Sequence, residues 1–260
     1  MPALGYTVPV KNVASDFNDL DLIDFCAEYL GWWPTGALPM WSTIAEQTWR
    51  DLFHNGQYQE PIALGVDATP ELTAASIGMA AQISDAGDVH LELVDRRSGV
   101  NWIVEALLSL VRNHQVCAIG IDRNGPLAGL VMPLTRAAEE QNLDITIAGN
   151  RPGKSQGMGF NSAEVAAACA TIYNETGEHD DADRPDDQPI TTRRVRHIGQ
   201  ADLDAAVAGV VKHFQGDRWR WDRAGSAVDV SPLYAVTLAR AAGEAEEWVG
   251  GAYDIRSSLG

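Results

Sequence analysis

The chain has 260 residues, 45% of them hydrophobic, enough for one globular domain of about 200 residues plus an extension. No apolar run approaches the ~20 residues of a membrane-spanning helix, and the opening MPALGYTVPVKNV lacks the charged start and apolar core of a signal peptide. A net charge of −17 opposes nucleic-acid contact over most of the surface, and three scattered cysteines (Cys26, Cys117, Cys169) argue against structural zinc and for a reducing compartment.

Residues 1–60 hold four of the eight Trp: Trp32, Trp33, Trp41 and Trp49. Helices are expected over 20–30 and 42–53, the second with Ser42 as N-cap, joined by a Pro/Gly loop at 31–39. The stretch reads as a helical extension that packs on the main domain through its Trp side chains. Docking onto another domain is the alternative.

Residues 62–69 (IALGVDAT) form a short apolar run bracketed by Pro61 and Pro70, which predicts a buried strand. Residues 73–84 read as a second strand, joined to the first as an antiparallel hairpin. Residues 89–94 alternate and make a third. A helix follows over 101–113, a strand over 116–121, a helix over 126–142, a fifth strand over 144–148 and a helix over 162–174. The pattern is α/β, a mixed sheet of five or more strands flanked by helices. Right-handed crossovers make strands one, four and five parallel.

Residues 178–187 (EHDDADRPDD) carry a net −5 and read as a solvated loop. Residues 191–223 are locally basic, with Arg193, Arg194, Arg196, Lys212, Arg218, Arg220 and Arg223 against four acids. Residues 189–198 look strand-like and 201–214 helical, with Asp202 and Asp204 suited to the first turn. Residues 217–223 (DRWRWDR) alternate like a strand, aromatics on one face and guanidiniums on the other. The Trp side chains are then core and the Arg residues either a solvated face or a nucleic-acid track. Ser231 and Pro232 start a last helix over 232–242.

Chemistry concentrates at three carboxylates. Asp67 and Asp122 each end a short apolar strand, and functional groups of open α/β sheets collect at such ends. Asp229 stands just before the last helix, where the helix dipole favours the ionised form. Three carboxylates cannot share a pocket as anions unless cations offset them. All-oxygen ligands select Mg²⁺ or Mn²⁺. Two such ions about 3.5–4 Å apart activate water and stabilise the leaving oxygen in attack on phosphate. The plain alternative is three unrelated surface Asp residues.

Other motifs are weaker. AGNRPGKS (148–155) fits a relaxed Walker A pattern, but Gly157 and Gly159 follow where a phosphate-binding loop needs a helix. A loop touching phosphate through Arg151 and Lys154 is the better reading. The six histidines form no HxxxH or HExxH pair, and Ser231 has no GxSxG context.

Five stretches resemble the C-terminal nuclease domain of the large terminase subunit of tailed phages. They are LGVDATPELTAASIGMAA (64–81), HLELVDRRSGVNWIVEAL (90–107), AIGIDRNGPLAG (118–129), RHIGQADLDAAVAGVVKHF (196–214) and GDRWRWDRAGSAVDVSPLYAVTLARA (216–241). The resemblance covers most of the chain, and the last two stretches are quite specific. It implies an RNase H-like fold and a two-metal endonuclease, using Mg²⁺ or Mn²⁺ and a metal-bound water, that cuts concatemeric phage DNA during packaging. The family's acidic triad falls on Asp67, Asp122 and Asp229. A fourth ligand stays open among Asp222, Asp217, Asp95 and His197.

By the same resemblance, Arg193, Arg194, Arg196, Lys212, Arg218 and Arg220 would bind backbone phosphates of double-stranded DNA. Implied partners are a packaging ATPase module, the portal and the small terminase subunit, at the packaging motor in the host cytoplasm, with no membrane. The family's large subunit carries an N-terminal ATPase, for which this chain has no room. Met1–Gly5 (MPALG) resembles the segment that follows that ATPase. Residues 1–60 are therefore read as linker and extension, and 61–260 as the nuclease domain. The acidic loop matches no family motif. Another RNase H-like nuclease, such as a junction resolvase, is the alternative among enzymes. A weakly active docking module of the motor is the alternative outside them.

Overall fold

In the computed structural model the described residues are 40–83, 87–149, 158–178, 193–246 and Trp248. All belong to one unit, Met40–Gly260. The expected helix over 20–30, Trp32, Trp33, Cys26, Asn150 to Gly157 of the Walker-like stretch and the acidic run after Glu178 lie outside them.

Strand β1 (Gln59–Ala68) is central. Ile62 through Ala68 are buried without a break, so both faces of the strand are covered. It pairs antiparallel with β2 (Ala74–Gln82), which pairs antiparallel with β3 (Val89–Ser98). On its other side β1 runs parallel to β4 (Val116–Ile121). The short β5 (Val195–His197) adds parallel to β3, giving the order β4-β1-β2-β3-β5. The fold is the expected mixed five-stranded α/β sheet, with one strand relocated. Residues 144–148 make only a parallel bridge beside β4, Ile119 to Ile147, because just two backbone hydrogen bonds hold them there. Pro61 does not bracket β1 but lies inside it, at a break in register between Gln59 and Ile62.

The helices are α1 (Glu46–Arg50), α2 (Ile103–Asn113), α3 (Val131–Glu140, after a 3₁₀ turn at Ala128–Leu130), α4 (Ser162–Glu175), α5 (Ala201–Gly209) and α6 (Ser231–Ala245). Helix α1 is shorter than expected and starts after Ala45, not Ser42. Its Trp49 is buried in the main core with Ile44 and Leu52, and donates through its indole N–H to Asp204 at 2.8 Å. Helix α4 opens with a capping box of Asn161 and Glu164.

The expected helix over 201–214 stops at Gly209. Residues Lys212–Gln215 form β6 instead, paired antiparallel with β7 (Arg218–Trp221). An RWRW strand needs a backbone partner, and Gly216, at φ +62°, allows the tight turn that supplies one. Trp221 is fully buried and Trp219 packs against Trp221 and Tyr173, so the aromatic face is core.

Helix α6 seats directly on the sheet. Gly65, Gly78 and Gly120 are cross-strand neighbours on β1, β2 and β4. A Cβ at Gly65 would lie 2.2 Å from the Ala235 carbonyl oxygen, one at Gly78 2.6 Å from Val236 N, and one at Gly120 2.3 Å from the Leu238 carbonyl oxygen. Only hydrogen at these positions allows helix backbone to touch sheet backbone. Two residues further along each strand, on the same face, stand Asp67, Ser76 and Asp122.

Gly65→Ala is therefore expected to destabilise the fold by about 3 kcal/mol or more. Gly129→Ala, where an added Cβ meets nothing within 4 Å, should change stability by no more than about 0.5 kcal/mol. Urea unfolding of both variants checks the pair, and equal effects would contradict the close seating.

Candidate active site

The parallel pairing of β1 and β4 brings Asp67 and Asp122 to adjacent carboxyl ends. Both are buried, 1% and 3% exposed. One guanidinium holds them together. Arg223 donates through Nε and one terminal nitrogen to the two Asp67 oxygens at 2.9 Å each, and through that same terminal nitrogen to Asp122 at 3.2 Å. The other Asp122 oxygen accepts from the Asn124 amide at 2.9 Å. Arg223 lies 3.6 Å over the ring of Tyr234, whose hydroxyl donates to the Trp221 carbonyl at 2.5 Å.

Two buried carboxylates thus share one positive charge. Burial, with a smaller push from Asp122, carries the Asp67 carboxyl up to about 6 against the pull of Arg223. Burial also works against the charge on Arg223, but Asp67, Tyr234 and Asp122 outweigh it and hold that pKa above its ordinary value.

Asp229 reaches the same end of the sheet by another route. Ser76, the cross-strand partner of Asp67, shares a 2.9 Å hydroxyl hydrogen bond with Ser231 at the start of α6. Asp229 accepts from the Ser231 amide at 2.8 Å, so it, rather than Ser231, satisfies a free N–H of the first turn. Its other oxygen binds Arg96 at 2.9 and 3.2 Å. Arg96 is in turn the cross-strand partner of Ser76. Asp229 shares a cavity of about 180 Å³ with Thr69, Pro70, Glu71 and Arg223. It makes no hydrogen bond with Asp67 or Asp122, and among the described residues no three His, Cys, Asp or Glu side chains stand close enough to hold a metal ion together.

The donor chemistry still fits a hard divalent cation at the Asp67–Asp122 pair. Every oxygen facing Arg223 is a carboxylate oxygen, and the pair already converges on a cation. Of the four further candidates, His197 stands elsewhere. It is buried, stacks on Trp49 at 4.0 Å and donates to the Trp49 carbonyl, and burial lowers its pKa. Asp222 caps its own turn through the Ala224 and Gly225 amides. Asp95 pairs with Arg97 at 2.5 Å, and Asp217 lines a cavity at the hairpin tip.

The six expected DNA-binding residues divide into two groups. Arg196 is level with Ile62 across the sheet, five residues below Asp67, or roughly 16 Å along the strands. It pairs with Asp88, and nearby Arg193 pairs with Asp51. Arg194 is exposed beside them. These three lie far from the carboxylates. Lys212 turns its ammonium over the Tyr173 ring at 3.3 Å, and burial lowers its pKa.

Arg218 and Arg220 do face a groove. One cavity of about 450 Å³ contains Pro70, Asn124, His213, Arg220 and Arg223. A second of about 340 Å³ holds Ser162, His213, Arg218 and Arg220. Pro70 and Arg223 are shared with the Asp229 cavity, so the three adjoin in a row. Arg96 and Arg223 were not expected in the site. Their only sequence signal is a position close to acidic residues in basic runs.

No family model matches the chain, and no curated protein does. Among solved structures, the HK97 bacteriophage large terminase overlaps 92% of this chain and 52% of its own, at 12% identity and a TM-score of 0.58. The chain has the fold of a phage large terminase. It spans about half the length of that HK97 chain. Two structures of the large terminase nuclease from thermophilic phage G20c, one with bound magnesium, overlap 73% of this chain. Their TM-scores are 0.44 and 0.42, again at 12% identity, and they cover 93% and 92% of their own length. The resemblance in sequence motifs and the fold match to the HK97 protein both lead to large terminases.

The raised Asp67 pKa has a measurable sign. The folded carboxyl holds its proton more tightly than the unfolded chain does, so its contribution to stability is fully present below about pH 4 and is lost as pH rises through 6. In metal-free protein, carbon NMR should place the Asp67 midpoint near 6. Asp67→Asn should remove this loss of stability between pH 4 and 6.5. A midpoint near 4 would contradict the shift.

Proposed function

We propose that this chain is a metal-dependent DNA endonuclease that cuts concatemeric viral DNA during genome packaging. The observation that carries the reading is the convergence of Asp67 and Asp122 on one cation, at the carboxyl ends of two parallel neighbours in a large-terminase fold. Asp229, at the start of α6 on the same end of the sheet, is the third ligand in this reading. Asp67, Asp122 and Asp229 would hold divalent ions, Mg²⁺ or Mn²⁺ and two in number, which would supply an activated water and offset charge on the phosphate. The chain's own part is to hold the carboxylates rigidly and to guide the DNA strand.

Guidance falls to the row of cavities. With a net charge of −17, the chain needs a local positive track to bring a phosphate to its carboxylates. Arg218, Arg220 and His213 line that track beside Arg223. They would hold backbone phosphates without reading bases. In this reading residues 61–260 are the nuclease and 1–60 are the linker that follows an ATPase module. That module, the portal and the small terminase subunit are its partners at the packaging motor in the host cytoplasm.

Plasmid cleavage tests the activity. Nicking is expected with Mg²⁺ or Mn²⁺ and not with EDTA. Asp67→Asn, Asp122→Asn and Asp229→Asn should each lower the rate by roughly 100-fold or more. A folded chain that fails to cut with any metal supports the docking-module reading instead.

The two basic groups separate in a binding experiment. Arg220→Ala should weaken duplex binding and reduce the salt slope by about 1, whereas Arg193→Ala should leave both unchanged. Fluorescence anisotropy over a salt series measures this, and the reverse result would place the DNA on the β5 edge.

A further inference from the structure

We propose that Arg223 is the resident cation of the Asp67–Asp122 pair, which a divalent ion must displace, so that this one residue sets how tightly the site takes metal. The inference rests on the reading of these carboxylates as metal ligands.

Charge makes the first argument. Asp67 and Asp122 are buried and bring two negative charges, and Arg223 returns one. Among the described residues no other cationic side chain contacts either carboxylate. A dipositive ion balances the pair and a guanidinium does not. The other buried arginine pair of this fold is balanced differently. Arg240 meets a single half-buried carboxylate, Glu175, through two nitrogens at 2.7 and 3.1 Å, and its remaining partner Glu244 is exposed. That pair is matched charge for charge, as a structural bridge should be.

Geometry makes the second. The Arg223 guanidinium occupies the point where both carboxylates converge, 2.9 to 3.2 Å from three of their oxygens. An ion bound by both carboxylates requires those same oxygens. The two cations therefore exclude each other.

Space makes the third. Arg223 lines a cavity of about 180 Å³ on one side and one of about 450 Å³ on the other. The side chain can leave the carboxylates without disturbing the core. Both exits belong to the row of cavities that also contains Asp229, His213 and Arg220. A freed guanidinium stays in that groove, where an incoming phosphate would be its next partner.

Titration calorimetry with Mn²⁺ on the DNA-free chain tests the competition, with Asp67→Asn as the baseline for non-specific binding to an acidic protein. Arg223→Gln should bind Mn²⁺ about tenfold tighter than the unaltered chain, or better. Arg223→Lys, which keeps the charge but loses the two-pronged contact, should fall between them. In thermal unfolding, the metal-free Arg223→Gln protein should melt below the unaltered chain, and Mn²⁺ should raise its melting temperature by more. Should Arg223→Gln fail to fold, the Arg223→Lys comparison decides alone. Equal or weaker Mn²⁺ binding by the folded Arg223 variants overturns the inference and leaves the metal-ligand reading standing. Absence of specific binding by every form, the unaltered chain included, overturns the metal-ligand reading itself.

Discussion

The site depends on one steric constraint, the contact of α6 backbone with the sheet at Gly65, Gly78 and Gly120. Three neighbouring strands give up a side chain at the same level, and the helix settles into the trough this leaves. The helix is then locked along its length, with Ser231 through Ala239 all buried. Its start is consequently held at the end of the strands where Asp67, Ser76 and Asp122 stand. The Ser76–Ser231 hydroxyl bond is a direct result, and through it Asp229 comes to the same end of the sheet as the other two carboxylates. Packing and chemistry are thus coupled two residues apart on each strand: a glycine to seat the helix, then a polar side chain beyond its tip.

Electrostatics runs on a shorter scale than the net charge suggests. At physiological salt, charges more than about 8 Å apart are largely screened, so the −17 of the whole chain matters less at the site than the few groups around it. There, Arg223 sits between Asp67 and Asp122, Arg96 holds Asp229, and Arg220 and Arg218 continue along the groove. Every carboxylate of the proposed site carries an arginine in the metal-free chain. This is what burial demands, since an unpaired buried carboxylate costs several kcal/mol. With a single guanidinium between them, Asp67 and Asp122 are only half compensated.

Much of this was legible in the sequence. Short apolar runs ending in Asp identified β1 and β4, Pro70 marked the far end of β1, and alternation identified β7. Position made the three Asp residues candidates beside the alternative of unrelated surface residues, and the resemblance pointed to the same three. What failed did so for physical reasons. Residues 144–148 have strand composition and lie beside β4, but two backbone hydrogen bonds do not make a strand, and the fifth strand, Val195–His197, forms at the opposite edge beside β3. Residues 210–214 continue the apolar helical pattern of α5, yet the need of RWRW for a hydrogen-bonded partner prevailed. The basic residues of 191–223 are close in sequence but divided in space, because β5 joins the β3 edge of the sheet while β6 and β7 pair with each other and pack on α4.

Arg223 and Arg96 mark the limit of that legibility. A long side chain finds its partner in space: Asp229 is 133 residues from Arg96, and Asp67 and Asp122 are 156 and 101 residues from Arg223, so local spacing does not announce these pairs. The glycines are a different case. Gly65-Val66-Asp67 and Gly120-Ile121-Asp122 repeat a Gly-x-Asp pattern, and Ser76-Ile77-Gly78 is its reverse on the antiparallel strand. Read against strand direction, the three segments predict a row of glycines beside a row of polar groups. That relation needs only the parallel pairing of strands one and four and the hairpin of one and two, both already expected. The row of glycines is where the backbone of α6 at Ala235 to Ala239 meets the sheet, so the seat of α6 was within reach of the sequence, even though the cation in front of it was not.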